Sequence, residues 1–156
     1  MTNNQEIWRA VSKGSFAIIS YVNRQGEPRS TGVVYATNGT HLYTAVAPDS
    51  WKADFIAAHD RVAVTIPVRR GGLLSLLLPI PPATISFHGR AIVHPAGWLQ
   101  QSPVREALRR LLPPERQTSA LIIEVVPQDA FLTYGIGVPL TAMRHPALAR
   151  ARLPVA

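Results

Sequence analysis

The sequence predicts a mainly β fold, a small antiparallel barrel with peripheral α-helices, and three observations predict it. Six or seven short runs rich in Val, Ile, Tyr and Thr recur along the 156 residues. Turn signals rather than long helices join them, so the βαβ alternation of a parallel sheet is missing. A closed barrel also removes the exposed strand edges that such a set of hairpins would otherwise leave. The length fits a single domain over 1–156 that buries a real core, with the core over about 14–134 and a tail over 135–156.

Residues 4–13 read as a short helix with Ile7, Trp8 and Val11 on its apolar face and Gly14 as its stop. Phe16 to Val22 is a strand, Arg24 to Glu27 a turn, and Arg29 to Thr37 the next strand. Asn38-Gly39 is a hairpin signal of type I′. His41 to Val46 returns as the third strand. Pro48-Asp49-Ser50 opens a helix to about Ala58, with Asp49 or Ser50 as its cap. Arg61 to Val68 is the fourth strand. The segment Gly71 to Pro82 holds a leucine-rich run at 73–78 that is too short to span a bilayer. It reads as a buried connector or part of a subunit interface, with a membrane-surface loop as the alternative. Ala83 to Val93 is strand five, Trp98 to Leu112 a helix, Ser119 to Val126 strand six, and Ala130 to Tyr134 a seventh. Gly135-Ile-Gly137 reads as a turn, and the rest is an Arg/Pro-rich tail.

Composition excludes several classes. There is no cysteine, hence no disulfide, thiolate metal site or cysteine nucleophile. No apolar run is long enough for a transmembrane helix, and the polar start MTNNQEIWRA lacks a signal peptide's apolar stretch, so a cytoplasmic location is the expectation. The net charge of +7 comes from fourteen arginines and two lysines, Lys13 and Lys52. The arginines are dispersed, with no nucleic-acid-binding motif around them, so no specific nucleic acid is expected. A basic surface plus an anionic small ligand accounts for the charge as well.

One stretch concentrates chemistry. Arg29 opens a strand, Tyr43 and Thr44 close the returning one, and Asp49-Ser50-Trp51-Lys52 begins a helix. Arginine, hydroxyls, lysine and free helix N–H groups suit a phosphate monoester. Lys52 at a helix start is unfavourable against the dipole unless an anion lies there, although a plain surface lysine is the alternative. Arg29 alone would be a solvated strand residue; Thr44 and Ser50 are potential hydroxyl donors, or ordinary strand and cap residues. The five histidines form no HxxxH or HExxH pattern, so no metal is expected, and His88 reads as a half-buried structural histidine. No nucleophile elbow, Walker loop or dinucleotide fingerprint occurs, and no carboxylate pair suggests acid/base work. Chemistry must then come from a bound cofactor.

The ordered set Gly26-x-Pro28-Arg-Ser-Thr-Gly-Val-Val-Tyr35, Asn38-Gly-Thr-His-Leu-Tyr-Thr44, Pro48-Asp-Ser-Trp-Lys52, Arg61-Val-Ala-Val-Thr65 and Phe87-His-Gly-Arg-Ala91 resembles the pyridoxamine 5′-phosphate oxidase-like FMN-binding split β-barrel family. The resemblance runs from about Gly14 to Thr133. It implies a six-stranded antiparallel split barrel acting as a homodimer, with FMN at the subunit interface. By the same resemblance Arg29 is a phosphate-binding arginine, with Ser30 beside it. Thr31 and Val33 run along the isoalloxazine ring, and Tyr43 and Thr44 lie near the phosphate and ribityl chain. Ser50 and Lys52 close on the phosphate, and Arg69 sits where a partner-subunit contact is often supplied. The oxidase's C-terminal Arg/His substrate signature has no counterpart, which implies a divergent relative rather than the oxidase proper.

Two readings follow from the resemblance, and a third from the charge. The first is a flavin-dependent oxidoreductase acting on a small-molecule substrate or NAD(P)H, with no side chain standing out as catalytic. The second is a cofactor-binding protein without turnover, holding FMN, deazaflavin or haem. The third is an anion- or nucleic-acid-binding barrel driven by the positive charge.

Overall fold

A computed structural model describes residues 2–77 and 79–155, and for Ser75 the backbone alone. Leu78, at the end of the leucine-rich run, and Ala156, at the end of the tail, lie outside the described residues. The chain order is α1 (Asn4–Lys13), β1 (Phe16–Val22), β2 (Pro28–Thr37), β3 (Leu42–Val46), α2 (Trp51–Ala58), β4 (Arg61–Val68), α3 (Leu74–Leu77), β5 (Ala83–His94), α4 (Arg105–Arg109), β6 (Leu121–Tyr134), α5 (Pro146–Ala149) and β7 (Arg150–Pro154). The sheet runs β3-β2-β1-β4-β5-β6-β7, and β3 also pairs with β6. That second pairing closes six strands into a barrel, all of it antiparallel.

Alternation decides what fills it. Over Phe16–Ile19 of β1 and Arg61–Ile66 of β4 every second residue is buried, and the inward set includes Ala17, Ile19, Val62, Val64 and Ile66. Val33, Tyr35, Leu42, Thr44 and Val125 join Ala17, Ile19 and Val64 around an interior void of about 10 Å³. A void of that size holds at most one water, so the barrel interior is packed core and not a ligand lumen.

Helices plug both ends. Asn3 caps α1 by accepting from the Glu6 N–H at 2.9 Å, while the Glu6 carboxylate accepts from the Asn3 N–H at 3.3 Å. This reciprocal pair satisfies two of the helix's orphan donors. Ile7 and Val11 are fully buried, and the Tyr35 hydroxyl donates to the Val11 carbonyl at 2.6 Å. Gly14 is required here, because a Cβ would lie 2.8 Å from the Tyr35 hydroxyl oxygen. At the other end α2 buries Ala53 and Ile56 and packs on β5 and β1.

The structure departs from the sequence expectations at five places. The Asn38-Gly39 turn is a four-residue loop: only Gly39 has positive φ, whereas type I′ needs two such residues. The Asn38 carboxamide oxygen accepts from the N–H groups of Thr40 (3.0 Å) and His41 (2.8 Å), replacing the tight turn. The helix expected over 98–112 is broken into a 3-10 turn at Trp98–Gln101 and the short α4. Pro103 explains the break, since it lacks an N–H and drives Ser102 to extended dihedrals (φ −79°, ψ 144°). Strands six and seven are one strand, β6, bent by a bulge at Asp129 with φ 58°. There the one residue of β5 between Ser86 and His88, Phe87, faces three of β6, Asp129 to Phe131. His88 is exposed rather than half-buried and meets Asp129 across the bulge at 2.8 Å. Finally, the tail supplies a strand: β7 pairs with β6 from Ala130 to Tyr134, an arginine- and proline-bearing edge of the kind that resists further pairing.

Candidate functional site

A filled barrel leaves only its outside for a ligand, and β2 carries the chemistry there. Arg29 and its antiparallel partner Tyr21 line a cleft of about 310 Å³ together with Asn23, Gln25, Trp51 and Phe55. Arg29 reaches it because β2 starts immediately after the 24–27 turn, and Trp51 because α2 begins beside the same barrel rim. The only side-chain partner of Arg29 among the described residues is Glu27 at 3.1 Å, and both are more than half exposed. Trp51 is 72% exposed and stands edge-on to Phe55 with ring centres 6.1 Å apart. Phe55 in turn lies 6.4 Å from Tyr21. An arginine and three aromatic rings thus line one cleft beside the start of a helix.

Ser50 is the N-cap residue of α2, and its side chain makes no cap hydrogen bond. Lys52 is half-buried and has no ion-pair partner among the described residues. The first N–H groups of α2, Lys52 and the nearby Arg29 offer donors to an anion at this corner, which also carries the carboxylates of Glu27, Asp49 and Asp54.

The remaining sequence-expected residues are distributed differently. Ser30 faces outward and its hydroxyl shares a 2.7 Å hydrogen bond with that of Ser20 on β1. Thr31 is half-buried, while Val33 lies on the same strand face as Tyr35 and lines the packed interior. The face of β2 open to a flat ligand therefore carries Ser30, Gly32 and Val34, not Thr31 and Val33. On it, the Phe16 ring lies so close over Gly32 that a Cβ there would come within 2.8 Å of it. Phe16, Ile18 and Val34 leave this face apolar and exposed.

Tyr43 and Thr44 point in opposite directions. Thr44 is inside the barrel and donates to the Val34 carbonyl at 2.7 Å. Tyr43 lies outside it, under the 98–112 segment, with its ring stacked on Trp98 at 5.9 Å and 19°. Arg69 lines a second cleft of about 850 Å³, which Phe16 also lines. Phe16 beside the Arg69 cleft and Tyr21 opposite Arg29 are about 17 Å apart along β1 at ~3.3 Å per residue. Within one chain the two arginines are too far apart to hold one phosphate.

A polar cluster that the sequence did not signal sits on the covered face. Glu124 accepts from His41 Nδ1 at 2.7 Å, His94 Nε2 at 2.6 Å and the Tyr43 hydroxyl at 3.1 Å. His94 stacks flat on Trp98 at 3.9 Å. An ionised carboxylate only accepts, so it fixes Nδ1–H on His41 and Nε2–H on His94. Burial pushes the Glu124 carboxyl upward, but the hydrogen bonds from His94, His41 and Tyr43 outweigh it and hold the group below its ordinary value. Burial, then the Glu124 charge and hydrogen bond, push Tyr43 up to about 12. A lone acid inside Leu121-Ile-Ile-Glu124-Val-Val was the available signal, but its partners arrive from β3 across the barrel closure and from the end of β5. Because its folded pKa is lowered, ionised Glu124 stabilises the fold above the ordinary carboxyl range, and this is lost as pH falls through the lowered value. Glu124→Gln is expected to cost about 1–3 kcal/mol in urea unfolding at neutral pH, and much less below the carboxyl range. An equal cost at both pH values would contradict the charged cluster.

Among the described residues no group of three or more His, Asp or Glu is arranged to hold a metal ion. No described helix is long and apolar enough to cross a membrane.

No family model matches the chain, and no curated protein matches it in sequence. Its structure does match solved ones. A protein from Listeria innocua named for pyridoxamine 5′-phosphate oxidase superposes with a TM-score of 0.60 at 16% identity, over 80% of this chain and 92% of that one. An F420 reductase superposes with a TM-score of 0.60 at 18% identity, over 84% of this chain and 98% of that one. HutZ, the haem storage protein of Vibrio cholerae, gives a TM-score of 0.67 at 12% identity, over 88% and 98%. At these identities the likeness is one of fold. The closed six-stranded antiparallel barrel with its peripheral helices is thus the split barrel of the pyridoxamine 5′-phosphate oxidase-like proteins.

Proposed function

We propose that the chain binds a phosphate-bearing flavin, FMN, on the outside of its barrel and works as a flavin-dependent oxidoreductase. The observation that carries the reading is the shared cleft of Arg29 and Trp51, at the head of a strand whose outer face is apolar and uncovered. The phosphate is held by Arg29, by Lys52 and by the Ser50 hydroxyl with the first N–H groups of α2. Glu27 is exposed and gives up Arg29 at little cost. The ribityl chain rounds the head of β2 to the opposite face, where the ring lies along Ser30 and Val34 and against the Phe16 ring that packs over Gly32. The bound flavin supplies the hydride or electron transfer; the chain orients it and excludes water.

A second copy of the chain covers the ring and the apolar face of Phe16, Ile18 and Val34. Ile18→Asp is therefore expected to turn a dimer into a monomer in light scattering and to reduce flavin uptake with it. A variant that stays dimeric and keeps its flavin would place the interface elsewhere.

The direct test is titration of flavin-free protein with FMN and with riboflavin, followed by fluorescence. FMN should bind at least about tenfold tighter, the worth of one charged hydrogen bond at roughly 1.5 kcal/mol. Equal affinities would mean that no phosphate site exists at Arg29. The same fold holds deazaflavin or haem in the reading's alternatives, and uptake of either in preference to FMN would decide for it. Oxidation of NADH or NADPH by the loaded protein separates an enzyme from a carrier.

A further inference from the structure

The strand β4 ends at one rim of the large cleft, and the chain then leaves the barrel. Gly71 and Gly72, at φ 90° and 51°, turn it outward. Leu73, Leu74, Leu76 and Leu77 follow, exposed by 82%, 54%, 79% and 82%. The chain returns at Ile80, which packs on the core, and at Pro82, which lines the cleft again. The four leucines contribute nothing to either buried cluster, so their exposure is a standing cost to the folded chain.

Around the base of this turn the charge is positive. Arg9, Lys13, Arg69 and Arg70 line the 850 Å³ cleft, against Glu6 alone. Arg70 is committed, because its guanidinium donates to the Gly135 and Val138 carbonyls. Glu6 is committed to the α1 capping box. Arg9, Lys13 and Arg69 have no ion-pair partner among the described residues.

We propose that the chain docks reversibly on anionic lipid bilayers through this end of the barrel. Leu73, Leu74, Leu76 and Leu77 enter the headgroup boundary, and Arg9, Lys13 and Arg69 meet lipid phosphates. An apolar knuckle of four leucines ringed by cations supplies the two signals that interfacial binding needs, neither of which suffices alone. Charge argues for lipid over a second copy of the chain, since a two-fold contact on this turn would press two sets of unpaired cations together. The Arg29 cleft lies at the opposite end of β1 and stays open to solvent when the chain is docked.

The test is co-sedimentation of the full chain with phosphatidylcholine vesicles and with vesicles in which a third of the lipid is phosphatidylglycerol. Affinity for the anionic vesicles should be higher by about tenfold or more and should fall as salt is added. Leu73→Ser with Leu77→Ser, and separately Arg9→Ala with Lys13→Ala, should each abolish that gain. All four positions are exposed, so the unfolding midpoint and the flavin uptake should not change, which keeps this test separate from that of the cofactor. Three results would overturn the proposal: equal or no binding to both vesicle types, leucine variants that bind like the parent, or leucine variants whose only change is lost self-association.

Discussion

Phe131→Ala is expected to lower the stability of the chain by about 3–5 kcal/mol, the usual cost of emptying a buried aromatic site. Phe131 has no exposed surface. It stands edge-on to Trp8 at 5.6 Å and to Phe87 at 5.4 Å, and so ties α1 to β5 and β6. For a chain of this length the loss should move the thermal midpoint by roughly 10 °C. Its neighbour Leu132 points to the other face and is exposed. Leu132→Ala should therefore shift the midpoint far less. Similar shifts for the two variants would mean that the alternation assigned to β6 is wrong.

Arg29→Ala and Lys52→Ala are each expected to weaken FMN about ten- to a hundredfold while leaving riboflavin nearly unchanged. A charged hydrogen bond is worth about 1.5–3 kcal/mol, and Arg29 is too exposed for the larger losses of a fully buried pair. The riboflavin control removes general damage to the fold from the comparison, since only FMN carries the phosphate. Parallel loss of both ligands would move the phosphate away from the start of α2. Thr31→Ala and Val33→Ala offer a contrast. Val33 lines the packed interior, so its truncation should appear in stability and not in flavin affinity.

The barrel was legible where local pattern and tertiary packing agree. Arg61–Val68 alternates in burial and Phe16–Val22 does so over its first four residues, and both strands form at their expected limits. The same alternation, carried one step further, orients the site. Tyr35 is buried on α1, which fixes Val33 inward and turns Ser30, Gly32 and Val34 outward. Features that depend on distant partners were not legible. The sequence divides 119–134 into two strands, yet a single left-handed residue, Asp129, carries one strand through. The helix expected at 98–112 is interrupted by Pro103, and the pieces are held by packing over Tyr43. Glu124 meets His41, 83 residues away, across the closure of β3 on β6, and His94, 30 residues away, across the β5–β6 pairing. A turn and a helix start fix the positions of Arg29 and Lys52 locally.

The most direct measurement is the visible absorption spectrum of the purified chain, with the mass of whatever chromophore denaturation releases. The expected result is the two-banded spectrum of a flavin and the mass of FMN. A Soret band or a deazaflavin spectrum would contradict the flavin assignment while keeping the barrel. A colourless chain that takes up no added FMN would contradict cofactor binding on this face and leave an anion-binding barrel in its place.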